Sequence, residues 1–354
     1  MLQEARSQVA WLIGAHDTDV LFTSGGTESN NLAITCGISG DQDRNEIVLS
    51  EVEHPSVHAK CEALASSHIV KFVRTTSDGV IDIEHLKSLV GPQTALVSIM
   101  MANNETGVIM PVKSACEVAH EQGALFHTDA VQALGKIPVN VVDLGVDYAT
   151  FSAHKIHGVK GAGALYHSPG SPMSPLVFGG KQEYGFRSGT ENTFSIVAFG
   201  AACVFAEAEL NECVEGIAKL RDALQHGIVG SCSDVVVNGA DVQRLPNTLS
   251  VCFQYLHGDG IVLALDRCGV CVSSGSACAS SSSKMSRTIG AMGRSYCDLF
   301  GTIRFSLSYL TTQEQIDYVL GILPAVIHEQ RQLSPFFSRE KLPATPFISA
   351  QLEE

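Results

Sequence analysis

Residues 20–30 of the chain read VLFTSGGTESN, an apolar run that passes through two glycines into a helix-like stretch. A strand, a small turn and a helix in this order leave backbone N–H groups free at the first turn of the helix, where they suit a phosphate. The stretch is not a P-loop, because the Gly-Lys-Ser/Thr ending is absent. A tight turn in which Ser or Thr caps the helix gives the same pattern, so both interpretations stay open.

Short apolar runs alternate with helix-like stretches on both sides of this turn. This alternation predicts an α/β layer with a mostly parallel sheet. After Asn192 the pattern changes to a long helix near Thr193–His226, followed by mixed strands and helices. We therefore predict a large α/β domain over residues 1–195, a small α+β domain over 196–335 and a C-terminal extension over 336–354. The strands of the large domain are predicted at Val20–Thr23, Glu46–Leu49, Ile69–Arg74, Ala95–Met100, Ala124–His127, Tyr148–Ser152 and Ala162–Tyr166.

The composition excludes several classes of protein. Of 354 residues, 23 are Lys or Arg and 37 are Asp or Glu, and the net charge of −14 argues against a nucleic-acid-binding face. No apolar run reaches the length of a membrane span, and the N-terminus lacks a secretory signal pattern. Eleven cysteines, mostly in apolar runs, indicate a reducing compartment rather than a disulfide framework. We therefore expect a soluble cytoplasmic protein.

Polar groups follow two neighbouring predicted strands. Asp129 and Gln132 come after the strand that ends at His127, and Ser-Ala-His-Lys at 152–155 follows the next strand. The carboxyl ends of parallel strands are where α/β sheets place ligand groups, although an Asp there can also simply cap a helix. A lysine amine can form a Schiff base with a carbonyl cofactor, and an Asp can pair with a protonated pyridine nitrogen. With the phosphate turn, these groups form the set that pyridoxal 5'-phosphate requires.

Cys278 differs from the other cysteines in its surroundings. It lies among small polar residues, in Ser-Ser-Gly-Ser-Ala-Cys-Ala-Ser at 273–280. A reactive thiol needs access and a raised thiolate fraction, whereas a structural thiol is buried. The alternative is an incidental loop cysteine. Beside a pyridoxal site, a nucleophilic Cys278 predicts chemistry on the sulfur of a substrate.

Together, these motifs resemble those of the cysteine desulfurases of the NifS/IscS type, in the class V branch of the fold type I aminotransferases. The resemblance runs from the first residues to about Pro335. It implies a fold type I large domain that binds pyridoxal 5'-phosphate, a smaller α+β domain and a homodimer. The matching motifs occur in the family's order: Thr23–Asn30, Asn103-Asn104-Glu105, Asp129 with Gln132, Ser152–Lys155, Arg187–Thr190, Ser274–Cys278 and Ile303–Ser306.

The resemblance also implies a role for each matched residue. Lys155 would hold the cofactor covalently and move protons at the substrate, Asp129 would bind the pyridinium nitrogen, and His54 would stack on the ring. Cys278 would attack the sulfur of L-cysteine, carry it as a persulfide, and in that form act as a transient iron–sulfur ligand. The remaining residues would bind the phosphate (Gly26, Thr27, Ser152, His154 and, from the neighbouring subunit, Thr190), the phenolic oxygen and substrate (Gln132, Asn104) and the substrate carboxylate (Arg304).

The implied function is conversion of L-cysteine to L-alanine, with the sulfur passing to an acceptor protein such as an iron–sulfur scaffold. No nucleic-acid or membrane partner is expected. The sequence starts at Met1 without the Asn-Ala-Ala-Thr-Thr-like stretch that usually precedes the first helix, and it departs from the family at Val159 and Ser308-Tyr309. Three alternatives stay open: a selenocysteine lyase, an ordinary aminotransferase with no need for Cys278, and an N-terminally truncated, inactive member that acts by interaction.

Overall fold

The structure, a computed structural model, describes residues 1–40, 43–275 and 286–337. The chain divides into two units. The first consists of Met1–Arg74, Ile81–Asn103 and Met110–Glu212, and the second of Thr75–Val80, Asn104–Ile109 and the residues from Cys213 onward. The sequence predicts a single boundary at 195/196 and does not anticipate the two short segments. Hydrogen bonds between loops connect such a segment to the second unit; for example, the Ile109 N–H donates to the Gln243 carbonyl at 2.9 Å. Contacts of this kind leave no periodic pattern in the sequence.

A mixed sheet forms the centre of the first unit. Its strands among the described residues are β1 (Val20–Thr23), β2 (Glu46–Ser50), β3 (Ile69–Val73), β4 (Thr94–Ser98), β5 (Leu125–Asp129), β6 (Tyr148–Ser152) and β7 (Gly163–His167). They lie in the order β1-β7-β6-β5-β4-β2-β3. The neighbours from β3 to β6 pair in parallel, whereas β7 runs antiparallel to both β6 and β1. The predicted mostly parallel α/β layer is confirmed.

Along the chain, helices precede, separate and follow these strands. They are α1 (Leu2–Leu12), α2 (Gly26–Ser39), α3 (Pro55–Leu64), α4 (Ile83–Leu89), α5 (Val112–Glu121), α6 (Val141–Leu144) and the start of α7 (Thr193–Ser231). Strands β1, β4 and β6 are buried at every position, as expected for strands covered on both faces. The largest fully buried side chains of this core include Tyr148, Phe126, Phe151 and Phe199.

Helix α7 is the longest helix in the described part of the chain, and the boundary between the two units falls within it. Its two parts, Thr193–Ala208 and Cys213–Ser231, together have the length and composition of a membrane span. Within the described ranges, no single helix is long and apolar enough to cross a membrane.

An antiparallel sheet forms the centre of the second unit. Its described strands are β8 (Val235–Val237), β9 (Thr248–Phe253), β10 (Ser273–Ser274) and β11 (Thr302–Ser306), in the order β10-β11-β9-β8. The helices are α8 (Gly258–Arg267), α9 (Arg287–Ala291), α10 (Tyr296–Phe300) and α11 (Gln313–Leu333). Alternate residues of β9 and β11 pack against apolar residues of α8 and α11, and the buried members of this core include Val251, Phe253, Ile303, Ile261 and Leu323.

The turn between β1 and α2 depends on small residues. A Cβ atom on Gly163 of β7 would lie 2.6 Å from the Cα atom of Gly25, and one on Gly26 would lie 2.9 Å from a methyl group of Val131. Backbone therefore packs directly on backbone where α2 begins. Because β1 runs parallel to β5 and β6, the start of α2 lies at the sheet edge where those two strands also end.

Candidate active site

A chain of hydrogen bonds joins four polar side chains at this edge of the sheet. Asp129, the last residue of β5, is only 5% exposed, and its Oδ2 atom accepts a hydrogen bond from the Asn30 amide at 2.7 Å. The same Asn30 Nδ2 atom donates to the Ser56 hydroxyl at 2.9 Å. The Ser56 Oγ atom lies 2.7 Å from His54 Nδ1. The chain therefore runs from His54 to Asp129 through two residues, Ser56 and Asn30, to which the sequence analysis assigns no role.

The tautomer of His54 follows from these contacts. His54 caps α3, and its Nδ1 atom accepts from the backbone N–H of Ser56 at 3.2 Å. A neutral ring with an acceptor at Nδ1 carries its proton on Nε2. Burial lowers the pKa of His54, the Lys155 charge lowers it further, and the Asp129 carboxylate opposes them. The ring is therefore neutral at pH 7, and Asp129 and Lys155 both lie close enough for their charges to shift its pKa.

Lys155 follows β6 directly, in a single 3-10 turn at Ala153–Ile156. The turn ends at His157, which has a left-handed φ of 65°. The Oγ atom of Ser152 lies 2.9 Å from Nδ1 of the exposed His154 side chain. Partial desolvation of the ring lowers the pKa of His154, and the charge of Lys155 lowers it further. An uncharged imidazole and a hydroxyl are therefore paired immediately before the lysine.

The start of α2 is joined to the segment that contains Thr190. Glu28 in the first turn of α2 accepts from the Ser24 backbone N–H at 2.9 Å and from Arg187 Nε at 2.8 Å. Burial raises the pKa of Glu28, but the hydrogen bonds from Arg187 and Ser24 and the Arg187 charge together outweigh it, so the pKa is lowered and the carboxyl is ionised. Thr190 is exposed and lines a cavity of about 180 Å³ together with Ser24 and Arg187. Gly26 and Thr27 stand at the first turn of the same helix, where N–H groups lack helical partners.

Gln132 contacts the ammonium group of Lys136. Its Oε1 atom accepts a hydrogen bond from the Lys136 ammonium at 3.0 Å, and its backbone carbonyl accepts from the same group at 3.0 Å. Its predicted role at the cofactor's phenolic oxygen remains a prediction.

Two residues predicted to bind substrate lie together in the second unit. Arg304 of β11 donates from Nη1 to the backbone carbonyl of Asn104 at 2.6 Å. Its Nη2 atom donates to the hydroxyl of Ser273 at 3.4 Å, and β10 pairs with β11 so that Ser273 stands opposite Arg304. The guanidinium is therefore oriented by a backbone carbonyl and a hydroxyl oxygen, and its planar fork of N–H donors has the geometry that binds a carboxylate.

Cys278 lies outside the described residues, so its predicted roles as nucleophile and transient metal ligand stay predictions. The cysteines whose side chains are described are free thiols. Within the described ranges, no group of three or more His, Cys, Asp or Glu residues has an arrangement that could hold a metal ion.

Two buried titratable groups beneath the site were missed by the sequence analysis. Glu53 is fully enclosed and accepts from the Ser50 hydroxyl at 2.6 Å and from the Met100 N–H at 2.7 Å. Burial raises its pKa to about 8. His127 lies between the hydroxyls of Ser98 (2.8 Å) and Thr150 (3.1 Å), and burial lowers its pKa to about 3. A polar residue inside an apolar strand was the only signal in the sequence that could have pointed to His127.

The chain is similar to proteins of one family over almost its whole length. The family model described as aminotransferase class-V matches residues 1–319. A protein named cysteine desulfurase from Cereibacter sphaeroides is 46% identical over 342 residues, which cover 96% of this chain and 88% of the relative. The chain belongs to the class V aminotransferases.

Solved structures agree with this assignment. A structure titled "NIFS-LIKE PROTEIN" superposes with a TM-score of 0.86 and 36% identity, covering 93% of this chain and 87% of the other. A NifS-like protein from Rickettsia africae ESF-5 gives a TM-score of 0.83 and 32% identity, covering 92% and 88%. The predicted family and its fold type I architecture are confirmed. Class V aminotransferases of this group are enzymes that use pyridoxal 5'-phosphate, as the sequence predicts.

The residues of the first unit fit this cofactor. A carboxylate offers about four acceptor positions, and Asp129 uses only two of them in the contacts described, with Asn30 and with the Val131 N–H at 3.0 Å. Acceptor capacity therefore remains for a pyridinium N–H. The Asn30 Oδ1 atom next to it is buried without a hydrogen-bond partner. Lys155 supplies the amine that such a cofactor requires.

Proposed function

We propose that the chain is a pyridoxal 5'-phosphate-dependent cysteine desulfurase, which converts L-cysteine to L-alanine and takes the sulfur onto Cys278 as a persulfide. The observation that carries the proposal is the chain of hydrogen bonds that links the buried Asp129 carboxylate to the neutral ring of His54. Lys155 lies close enough to this ring for its charge to lower the pKa of His54. The 46% identity to a cysteine desulfurase supports the choice of reaction within the family.

In the proposed enzyme, the side chains of the first unit hold the cofactor. Asp129 would bind the pyridinium nitrogen, and the neutral His54 would stack on the ring. The phosphate would be bound by the N–H groups of Gly26 and Thr27 and by Ser152 and His154, with Thr190 reaching the cofactor of the partner subunit in a homodimer. When bound, the cofactor supplies a sink for the electron pair released at the substrate's Cα. Gln132 would lie near the phenolic oxygen.

Three residues would bind the substrate and carry out its conversion. Arg304 would bind the substrate carboxylate by a two-pronged ion pair, beside Asn104. Lys155 would take the proton from Cα of the bound amino acid. The thiolate of Cys278 would then attack the substrate sulfur, so that an S–S bond forms and the C–S bond breaks. The electron pair of the broken bond stays with Cβ, which takes up a proton, and return of the proton from Lys155 to Cα would give alanine.

The test is to incubate the purified chain with pyridoxal 5'-phosphate, L-cysteine and dithiothreitol and to quantify alanine and sulfide together. Equal amounts of both are expected, because one C–S bond yields one of each. Cys278→Ala should keep cofactor absorbance and bind L-cysteine but release no sulfide, and Lys155→Ala should lose the absorbance of the covalently held cofactor. Undiminished sulfide release by Cys278→Ala would refute the assignment of the nucleophile.

The same assay separates the alternatives that the sequence leaves open. A selenocysteine lyase would release selenide from selenocysteine and little sulfide from L-cysteine, and an aminotransferase would need a keto-acid acceptor and no Cys278. An inactive member would bind cofactor and form no alanine. We propose that the persulfide passes to a sulfur-acceptor protein such as an iron–sulfur scaffold. We place the enzyme in the cytoplasm, since its buried cysteines are free thiols that suit a reducing compartment.

A further inference from the structure

Glu105 is a buried carboxyl group that the proposed reaction does not use. It follows Asn104 in the second unit and is 7% exposed. One carboxyl oxygen accepts a hydrogen bond from the Ser286 hydroxyl at 2.5 Å, and the other accepts from the Thr288 hydroxyl at 3.4 Å. Burial raises the pKa of Glu105, and these two donors and the charge of Arg304 oppose that rise. An acidic group kept in such a place has a cost in desolvation that its contacts must offset.

The Glu105 carboxyl lies beside both described residues that border the segment 276–285. On one side, the Ser286 Oγ atom accepts from the Ile289 N–H at 3.1 Å and so caps α9, while its proton goes to Glu105. On the other side, Gly275 has a left-handed φ of 59°, and a Cβ atom there would lie 3.5 Å from Glu105 Oε2. In the sequence, Cys278 stands between these two residues.

Asn104, the residue before Glu105, orients Arg304. The carbonyl of Asn104 accepts from Arg304, and the next residue, Glu105, accepts from Ser286. Ser273, two residues before Gly275, is paired with Arg304 across β10 and β11. The dipeptide 104–105 therefore connects the residue proposed to bind the substrate carboxylate with the residues that border the segment carrying Cys278.

We propose that Glu105 is a positioning residue for sulfur transfer, which fixes Gly275 and Ser286, on either side of the Cys278 segment, relative to Arg304. The inference rests on the proposed function, because it takes Cys278 as the sulfur acceptor. It predicts that loss of Glu105 slows sulfur transfer. Binding of L-cysteine should be preserved, since Arg304 keeps its contacts with Asn104 and Ser273. Cofactor binding should be preserved because none of the residues proposed to bind the cofactor is replaced.

The test compares Glu105→Ala, Glu105→Gln and Ser286→Ala with the matched control Ser295→Ala, each as holoenzyme. Ser295 also caps a helix of the second unit, α10, but its hydroxyl donates to Asp298 at 2.9 Å. Ser286→Ala and Ser295→Ala therefore each remove one helix cap, and only Ser286→Ala removes the link to Glu105. For each variant we would measure kcat and KM for alanine formation, the rate of persulfide formation in a single turnover and cofactor absorbance.

Glu105→Ala and Ser286→Ala are expected to lower kcat and the single-turnover rate at least about tenfold, the effect of misplacing a reacting group. KM and cofactor absorbance should stay within about twofold of wild type, and the two substitutions combined should cost no more than either alone. Glu105→Gln should retain more activity than Glu105→Ala, because its carbonyl can still accept from Ser286. Ser295→Ala should resemble wild type.

Equal kcat values for Glu105→Ala and Ser295→Ala would overturn the inference, and so would a loss confined to KM or to cofactor absorbance. If Glu105→Ala does not fold, Ser286→Ala and Glu105→Gln carry the test with almost no change in buried volume. A wild-type chain that forms no alanine would overturn the proposed function, and this inference with it. A wild-type chain that forms alanine, with variants that do so equally fast, would overturn the inference alone.

Discussion

Replacing Asn30 by Ala tests the hydrogen-bond chain on which the cofactor site depends. The substitution removes a donor to the Asp129 carboxylate (2.7 Å) and a donor to the Ser56 hydroxyl (2.9 Å), both in buried surroundings. A hydrogen bond to a charged group contributes about 1.5–3 kcal/mol and a neutral one about 1 kcal/mol. We therefore expect the free energy of unfolding to fall by about 2.5–4 kcal/mol, and the affinity for pyridoxal 5'-phosphate to fall severalfold or more.

The neighbouring residue provides the control. Asn31 lies on the same helix, and its amide donates only to the Thr27 carbonyl at 2.8 Å, one turn away. Asn31→Ala should change the free energy of unfolding by no more than about 0.5 kcal/mol, since a partly exposed bond is lost and helix propensity is gained. Urea unfolding followed by circular dichroism, with and without added cofactor, gives both free energies. Equal destabilisation by the two substitutions would refute the role given to Asn30.

Two further predictions concern buried ionisable groups. The pKa of His127 is lowered by burial to about 3, against 6.5 for an exposed His, so its neutral form stabilises the fold fully above pH 6.5 and that contribution is lost as the pH falls toward 3. At about 1.36 kcal/mol per pH unit, the loss between pH 6.5 and 5 is about 2 kcal/mol, and His127→Gln should lack this part of the pH dependence of unfolding. Arg6 and Glu183 form a buried ion pair at 2.7 Å, so Arg6→Ala should lower the free energy of unfolding by about 3–5 kcal/mol because it leaves the Glu183 carboxylate without its cation.

Each of these predictions has its own contradicting result. Between pH 6.5 and 5, the free energy of unfolding should fall more steeply with falling pH for wild type than for His127→Gln. Parallel curves would mean that the His127 ring takes up a proton in the folded state. For the ion pair, Arg6→Ala combined with Glu183→Gln should recover part of the loss. If Arg6→Ala alone costs less than about 1 kcal/mol, water must reach Glu183 in the variant.

The sequence predicts the strands of the first unit well, because these strands are buried on both faces and glycine or polar turns border them. Val20–Thr23 and Tyr148–Ser152 are predicted with the observed bounds. The antiparallel direction of β7 is not predictable in this way, since apolar periodicity does not encode which way a strand runs. β10 has two serines and no apolar residue, so nothing in the sequence distinguishes it from a loop.

The same limit applies to the site. Asp129 and Lys155 could be singled out because each directly follows an apolar strand in a sheet whose strand ends meet. Asn30 acts through a partner 99 positions away, and Glu105 through one 181 positions away. Such pairs form only when the chain has folded, and each partner alone has the appearance of an ordinary polar residue.

The discontinuous second unit has a consequence for engineering. A chimera that exchanges everything from Cys213 onward for the corresponding part of a relative would replace Arg304 and Ser286. It would keep Asn104 and Glu105 from the original chain, because Asn104–Ile109 belongs to the second unit but precedes Cys213 in the sequence. The recombined protein would then combine a guanidinium from one parent with the carbonyl that orients it from the other. An exchange of substrate preference therefore has to include the hexapeptide 104–109 as well as the residues from 213 onward.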